Sequence, residues 1–236
     1  VRKVDRLVDL YEKTPILAAH LTNKKDYILN PKTDGYRGIH LIYEYRGGHQ
    51  NGAFRDLKIE IQIRSRLQHA WATALETIDT FTNQALKSGL GNPLWKRFFF
   101  LMGTAIAAAE RRALVPGTPK TYEELTTEVK SLCKQLNVPD VFHGLTVGVK
   151  MSKGRKGTKA YILLLDSQMR TTQVFNYDKN EDADAAYIQM EKDNLNQPHL
   201  QTVLVSVDSI AALRSAYPSY YLDTRKFLEI VDTLIK

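Results

Sequence analysis

The residues best suited to chemistry sit in three short pieces: K-D-Y-I-L-N-P-K-T-D-G-Y-R-G-I-H (25–40), E-I-Q-I-R (60–64) and Q-H-A-W-A (68–72). Lys25, Lys32 and Arg37 cluster around the turn chemistry of Thr33-Asp34-Gly35, where cations can meet phosphate oxygens. Tyr36 follows directly, and the neighbouring glycine lets a purine approach its ring closely enough to stack. Glu60 lies on the polar side of the alternating run L-K-I-E-I-Q-I (57–63), with Gln62 and Arg64 on the same side two residues apart. A carboxylate so placed can hold Mg²⁺ and accept the proton of an attacking hydroxyl. Taken singly, each residue has a plainer reading. His40 fits a hydrogen-bonded core histidine, Glu60 a solvated carboxylate and Tyr36 a packing ring. His69 and Trp71 read as helix-stabilising rather than substrate-touching.

These residues need elements to hold them. Val1, Val4, Leu7, Val8 and Tyr11 recur at helical spacing, which predicts an amphipathic helix over 1–13. A short extended piece is expected at 27–30, and strands at 39–45 and 57–63, with Gly47, Gly48 and Gly52 between them. In the second strand Leu57, Ile59, Ile61 and Ile63 should face a core. Helices follow at 66–87 and 94–114. The run V-P-G-T-P-K (115–120) is the clearest boundary in the chain.

Beyond it, Thr121-x-x-Glu124 is a capping pattern opening a helix over 122–136. Strands are expected at 145–151, 159–165 and 171–177. The first two are joined by the basic loop S-K-G-R-K-G-T, in which Lys153, Arg155 and Lys156, with Lys159, read as a solvated loop or a contact for RNA or partner. A helix at 182–193, a strand at 201–207, a helix at 210–216 and a last helix at 223–235 complete the chain. The fold class is α+β: a mixed β-sheet flanked by helices, then a small β-β-β-α-β domain with C-terminal helices. The domains are expected at 1–118 and 119–236.

Charge divides along the same line. Lys and Arg outnumber Asp and Glu by 18 to 11 over residues 1–118 and match them at 15 to 15 beyond, so the net +7 belongs to the first half. A basic first half suits phosphate partners, though a solvated basic surface gives the same count. The single cysteine, Cys133, excludes an internal disulfide and a Cys-rich metal site, and a cytoplasmic setting is expected. The longest apolar run, about twelve residues at 98–109, is too short to span a membrane. Val1 is not an initiator methionine and no signal-peptide pattern follows, so the natural chain is expected to begin upstream.

In order and approximate spacing the three pieces resemble the synthetase motifs of the RelA/SpoT family, K-D-Y-I-x-x-P-K-x-N-G-Y-x-S-L-H, E-I-Q-I-R-T and H-x-W-A. The resemblance covers about 50 residues and implies a nucleotidyltransferase-like fold that transfers pyrophosphate from ATP with Mg²⁺. It implies that Glu60 is the metal-binding base and that Tyr36 stacks the acceptor base. Lys25, Lys32, Asp34, Arg37, His40, Gln62 and Arg64 would then surround the acceptor. Two departures stand out: Asp34 replaces the Asn of alarmone synthetases, and T-A-L-E-T-I-D follows Ala72 instead of the usual E-I-E-H. The family's ATP-holding basic helix-loop and second metal-binding Asp are expected upstream.

The C-terminal run A-Y-P-S-Y-Y-L-D-T-R-K-F (216–227) resembles the tail of CapRel-type fused toxin–antitoxin proteins. That resemblance implies a toxin acting on the 3′ CCA end of tRNA and a zinc-finger-like domain without zinc. It also implies autoinhibition through Tyr217 and Tyr220, released by a phage capsid or other trigger protein. Tyr217, Tyr220 and Tyr221 equally fit aromatic packing at a helix junction. The alternatives are an alarmone synthetase making (p)ppGpp or (p)ppApp, and a non-catalytic nucleotide- or RNA-binding module.

Overall fold

The computed structural model describes residues 2–14, 19–47, 54–82, 86, 89–151, 157–166, 171–197, 199–207 and 224–236. Two compact units emerge, Val1–Ala72 with Phe99–Leu125, and Thr73–Phe98 with Thr126–Lys236. No helix among the described residues is long and apolar enough to cross a membrane.

The first unit begins with α1 (Arg2–Lys13) and a three-stranded sheet of β1 (Ala19–Asp26), β2 (Ile39–Tyr45) and β3 (Lys58–Ile63), in the order β1-β2-β3. Both pairings are antiparallel, so the described sheet is not the mixed one expected from sequence. Alternation along β2 sends Ile39, Leu41 and Tyr43 into a core with Val4, Val8, Ile28 and Ile63. The Tyr43 hydroxyl also donates to the Tyr11 carbonyl at 2.8 Å, tying the sheet to the end of α1. On this same side of the sheet, Lys24 pairs with Glu12 at 2.9 Å. Core coverage fails at the start of β3: Ile61 is partly buried, while Leu57 and Ile59 remain 53% and 43% exposed.

One strand was not visible in the sequence. β1 reads A-H-L-T-N-K-K-D, mostly exposed and without alternation, whereas residues 27–30, expected to be extended, form a turn. Asp26 shapes that turn: its Oδ1 accepts the N–H groups of Ile28 (3.0 Å) and Leu29 (2.9 Å).

Helix α2 (Arg66–Thr82) opens with a reciprocal cap, Ser65 N–H to Gln68 Oε1 at 3.0 Å and Gln68 N–H to Ser65 Oγ at 3.1 Å. Helix α3 (Pro93–Ala109) contributes buried Phe99, Phe100, Leu101, Met102 and Ile106 to the first unit. At its start α4 (Tyr122–Gln135) carries the expected capping box: Glu124 N–H reaches Thr121 Oγ1 at 3.1 Å, and Thr121 N–H reaches Glu124 Oε2 at 3.3 Å.

In the second unit the expected strand at 145–151 is instead part of α5 (Val138–Met151). Val138, Val141 and Phe142, buried at helical spacing, explain the difference; the alternation of Leu145, Val147, Val149 and Met151 coincides with a helix that already has its apolar face. The remaining elements are β4 (Ala160–Asp166), β5 (Thr171–Tyr177), α6 (Asn180–Asp193), β6 (Leu200–Ser206) and α7 (Arg225–Ile235). Their sheet is antiparallel in the order β5-β4-β6, so the unit reads β-β-α-β rather than β-β-β-α-β. Phe227 of α7 packs against Phe98 and Phe142, with ring centroids 6.1 and 5.8 Å apart. Arg97 and Glu128 form a bidentate pair at 2.5 and 2.7 Å. Cys133 is buried, and burial pushes its thiol up to about 12, with Asp232 adding to the shift. The loop cations Lys153, Arg155 and Lys156, the helix expected at 210–216, and Tyr217, Tyr220 and Tyr221 lie outside the described residues.

A close backbone crossing in the first unit joins two glycines. Gly35 adopts φ +92°, and a Cβ on Gly103 would stand 2.4 Å from the Gly35 oxygen. Replacing Gly103 by Ala must push the turn away from α3. We expect Gly103→Ala to cost about 1–3 kcal/mol in denaturant unfolding, with unchanged stability as the contrary result.

Candidate active site

The β2–β3 register fixes what the open face of the sheet presents. His40 lies opposite Gln62 and Ile42 opposite Glu60, while Lys25 of β1 lies opposite His40. Lys25, His40, Gln62 and Glu60 therefore share the face turned away from α1. Tyr36 reaches the same place from the turn before β2, which Gly35 closes by donating to the Lys32 carbonyl at 3.1 Å.

A continuous set of hydrogen bonds links these groups. Arg64 Nη2 and Nε donate to the Tyr36 hydroxyl at 2.9 and 3.2 Å. That hydroxyl lies 2.5 Å from His40 Nε2, and His40 Nδ1 contacts Glu60 Oε1. Gln62 donates to Glu60 Oε2 at 3.2 Å and accepts from Arg64 Nη2. Burial holds the His40 imidazole below its ordinary value against the upward pull of Glu60, with Arg64 and Lys32 pressing the same way as burial. Burial would raise the Glu60 carboxyl, but the Gln62 amide, His40 and Lys25 together hold it low. An ionised carboxylate only accepts, so the neutral imidazole carries its proton on Nδ1, and Nε2 accepts from Tyr36. The contact between His40 and Glu60 is thus a hydrogen bond of a neutral ring. Burial raises the Tyr36 phenol, which keeps it a donor.

Aromatic edges wall this chain. Tyr27 packs edge-on against Tyr36 and His40 at 5.8 and 5.2 Å, and Trp71 against Tyr36 at 6.2 Å. Trp71 is itself fixed by its indole N–H donating to the Phe99 carbonyl at 2.8 Å. The Lys32 ammonium stands 4.8 Å from the Tyr27 ring centroid and 5.1 Å from that of Tyr36. The Arg64 guanidinium also stands 5.1 Å from the Tyr36 centroid. Gly38 leaves room for this: a Cβ there would come within 3.1 Å of the Tyr36 oxygen and 3.2 Å of Arg64 Cγ.

Of the expected site residues, Lys25, Lys32, Tyr36, His40, Glu60, Gln62 and Arg64 come together. Asp34 is exposed at the rim, its Oδ1 accepting the Tyr36 N–H at 2.8 Å, a role that an asparagine oxygen fills equally well. Arg37 does not join them. It is 2% exposed and donates to the Ile28 carbonyl at 3.3 Å and to the Ala113 carbonyl. Burial lowers its pKa and the nearby Glu110 opposes that shift. Glu110 in turn accepts from Ser65 Oγ and, at 2.7 Å, from the Gln68 amide, so this buried cation serves the scaffold. Tyr27 is the site residue that the sequence reading passed over, although it sits inside the first motif beside Asp26.

Comparison with known proteins supports the motif reading. Residues 3–80 match the family model described as "Region found in RelA / SpoT proteins". No curated protein matches the chain. Similar solved structures include a GTP pyrophosphokinase family protein from Streptococcus pneumoniae, 26% identical with a TM-score of 0.37, covering 47% of this chain and 50% of that one. Small alarmone synthetase 2 from Bacillus subtilis is 22% identical with a TM-score of 0.38, covering 47% and 56%. Small alarmone synthetase 1 from Bacillus subtilis, bound to its product pppGpp, is 20% identical with a TM-score of 0.36, covering 47% and 52%. The chain thus spans about half the length of the solved structures it matches.

The Tyr36 hydroxyl links Arg64 directly to His40, groups that are also connected the long way round through Gln62 and Glu60. Tyr36→Phe strands two Arg64 donors and leaves His40 Nε2 without its donor. It should cost about 1–3 kcal/mol in denaturant unfolding while leaving the far-ultraviolet circular dichroism unchanged. A cost near zero would show that the bonds to Tyr36 are replaced by water.

Proposed function

We propose that the protein is an ATP-dependent pyrophosphokinase that moves pyrophosphate from ATP onto a nucleotide hydroxyl, releasing AMP. The observation carrying this reading is the ionised Glu60 carboxylate, held on both oxygens by neighbours and facing open solution beside Lys25 and Arg64. In this reading Glu60 takes the proton of the acceptor hydroxyl as its oxygen bonds to phosphorus. His40 and Gln62 aim the carboxylate, and Lys25 and Arg64 face the acceptor's phosphates and sugar. A base stacked on Tyr36 displaces the Lys32 ammonium from the ring and frees it for a phosphate.

Among the described residues no group of three or more His, Cys, Asp or Glu could hold a metal ion. A single carboxylate nevertheless fits Mg²⁺, which commonly binds through one or two carboxylates, water and substrate phosphates. Glu60 would hold it, and the bound ion would supply charge neutralisation to the pyrophosphate.

For the acceptor we take the 3′ CCA end of tRNA, with its terminal adenine on Tyr36, supported by the concentration of positive charge in residues 1–118. A guanosine or adenosine nucleotide is the second reading. It gains from Asp34, whose side chain is used inside the turn, so its replacement of asparagine is no obstacle to a nucleotide. The fused toxin–antitoxin layout, its trigger protein, the domain boundary at 118 and a cytoplasmic setting complete the proposal and rest on sequence.

Two experiments test this reading. In the full-length protein, Glu60→Gln should lower transfer from labelled ATP roughly 10²-fold or more. Near-normal transfer removes Glu60 from the mechanism; product from free GDP with none from tRNA establishes the alarmone reading. Separately, Tyr217→Ala with Tyr220→Ala should make expression toxic without a trigger, and adding Glu60→Gln should abolish that toxicity. A folded, harmless double variant would remove the autoinhibitory role.

A further inference from the structure

The pairing of β1 with β2 slips by one residue partway along. Ala19, His20 and Leu21 lie opposite Tyr45, Glu44 and Tyr43, whereas Asn23, Lys24 and Lys25 lie opposite Ile42, Leu41 and His40. Thr22 is the extra residue, a β-bulge, and its Oγ1 donates to the Ile42 carbonyl at 2.9 Å.

The slip decides which lysine meets the site. Side chains alternate faces along a strand, so a one-residue shift exchanges the two sides. Before the bulge, Leu21 shares the face of Tyr43, the core face. Carried forward unbroken, that register would set Lys24 opposite His40 and Lys25 opposite Ile39. With the bulge the order is reversed. Lys25 stands beside His40 on the face of Glu60, and Lys24 turns to the α1 side and pairs with Glu12 at 2.9 Å.

We propose that Thr22 is a positioning residue, and that its bulge selects Lys25 rather than the adjacent Lys24 as the acceptor-facing cation of this site. The role of that cation rests on the pyrophosphokinase reading; the selection itself is a matter of strand register. Thr22 is exposed, so core packing does not require it. Bulges commonly re-aim a side chain beside an active site at the cost of local pairing. The Oγ1 bond to Ile42 anchors the extra residue where the ladder would otherwise have no reason to interrupt itself.

Register can be read without catalysis by cross-strand cysteine pairing, since directly opposed residues lie within disulfide reach. Under mild oxidation, Lys25→Cys with His40→Cys should close a disulfide in the parent, detected by mass spectrometry, while Lys24→Cys with His40→Cys should close at least tenfold more slowly. Deleting Thr22 should exchange the two rates. Should the deletion variant fail to fold, Thr22→Val and Thr22→Ser take its place. Thr22→Val should slow the Lys25 pair several-fold and Thr22→Ser should restore it. Unaltered pairing preference in the deletion variant, or in Thr22→Val where that stands in for it, overturns the proposal. In pyrophosphate transfer from ATP to tRNA by the full-length protein, Lys25→Ala should raise the acceptor KM about tenfold and Lys24→Ala should leave it within twofold. In the deletion background the sensitivity should pass to Lys24. Cysteine pairs that exchange in a protein transferring nothing to tRNA or GDP would support the register claim and remove the pyrophosphokinase reading. Pairs that stay fixed in an active enzyme would do the reverse.

Discussion

The antiparallel register of β2 against β3 is the constraint on which the site depends. It sets Leu41 opposite Ile61 on one face and His40 opposite Gln62 on the other. Because side chains alternate, the apolar pattern that builds the core also fixes which groups remain on the open face. Ile39, Leu41, Tyr43 and Ile63 have no other place to go, and His40, Glu60 and Gln62 are aligned as a result. The polar chain from Arg64 to Glu60 is thus positioned by burial energy spent on the opposite side of the sheet.

The scaffold beneath the turn is polar as well as apolar. Glu110 gathers Ser65, Gln68 and the field of Arg37, and Arg37 closes the carbonyls of Ile28 and Ala113. Together they tie the end of β3, the start of α2, the turn and the exit of α3 within one unit. A buried cation costs little when hydrogen-bonded near an acid and a great deal when stranded. The arrangement explains why an arginine inside a phosphate-like motif faces inward.

What could be read from sequence followed the strength of each local signal. α1, β2 and the Thr121–Glu124 cap were legible because apolar period or capping chemistry was unambiguous there. β1 was hidden by its polar composition and by Thr22, which breaks the alternation that would have marked it. Residues 145–151 alternate like a strand, but Val138, Val141 and Phe142 had already committed the chain to a helix. That Lys25, Lys32, Tyr36, His40, Glu60, Gln62 and Arg64 lie together was legible from the ordered motifs. The inward placement of Arg37 was not legible, because residue type announces charge and is silent about burial. Tyr27 was missed because its contacts arise from the turn and not from spacing.

Cys133 has a consequence of its own. With burial pushing its thiol up to about 12, little of it is thiolate at neutral pH. Thiol–disulfide exchange proceeds through the thiolate, so this sulfur reacts with glutathione only when the second unit opens. The folded protein therefore keeps the same covalent state across a wide range of ambient reduction potential. Its susceptibility to oxidants becomes a measure of how often the packing around Cys133 opens.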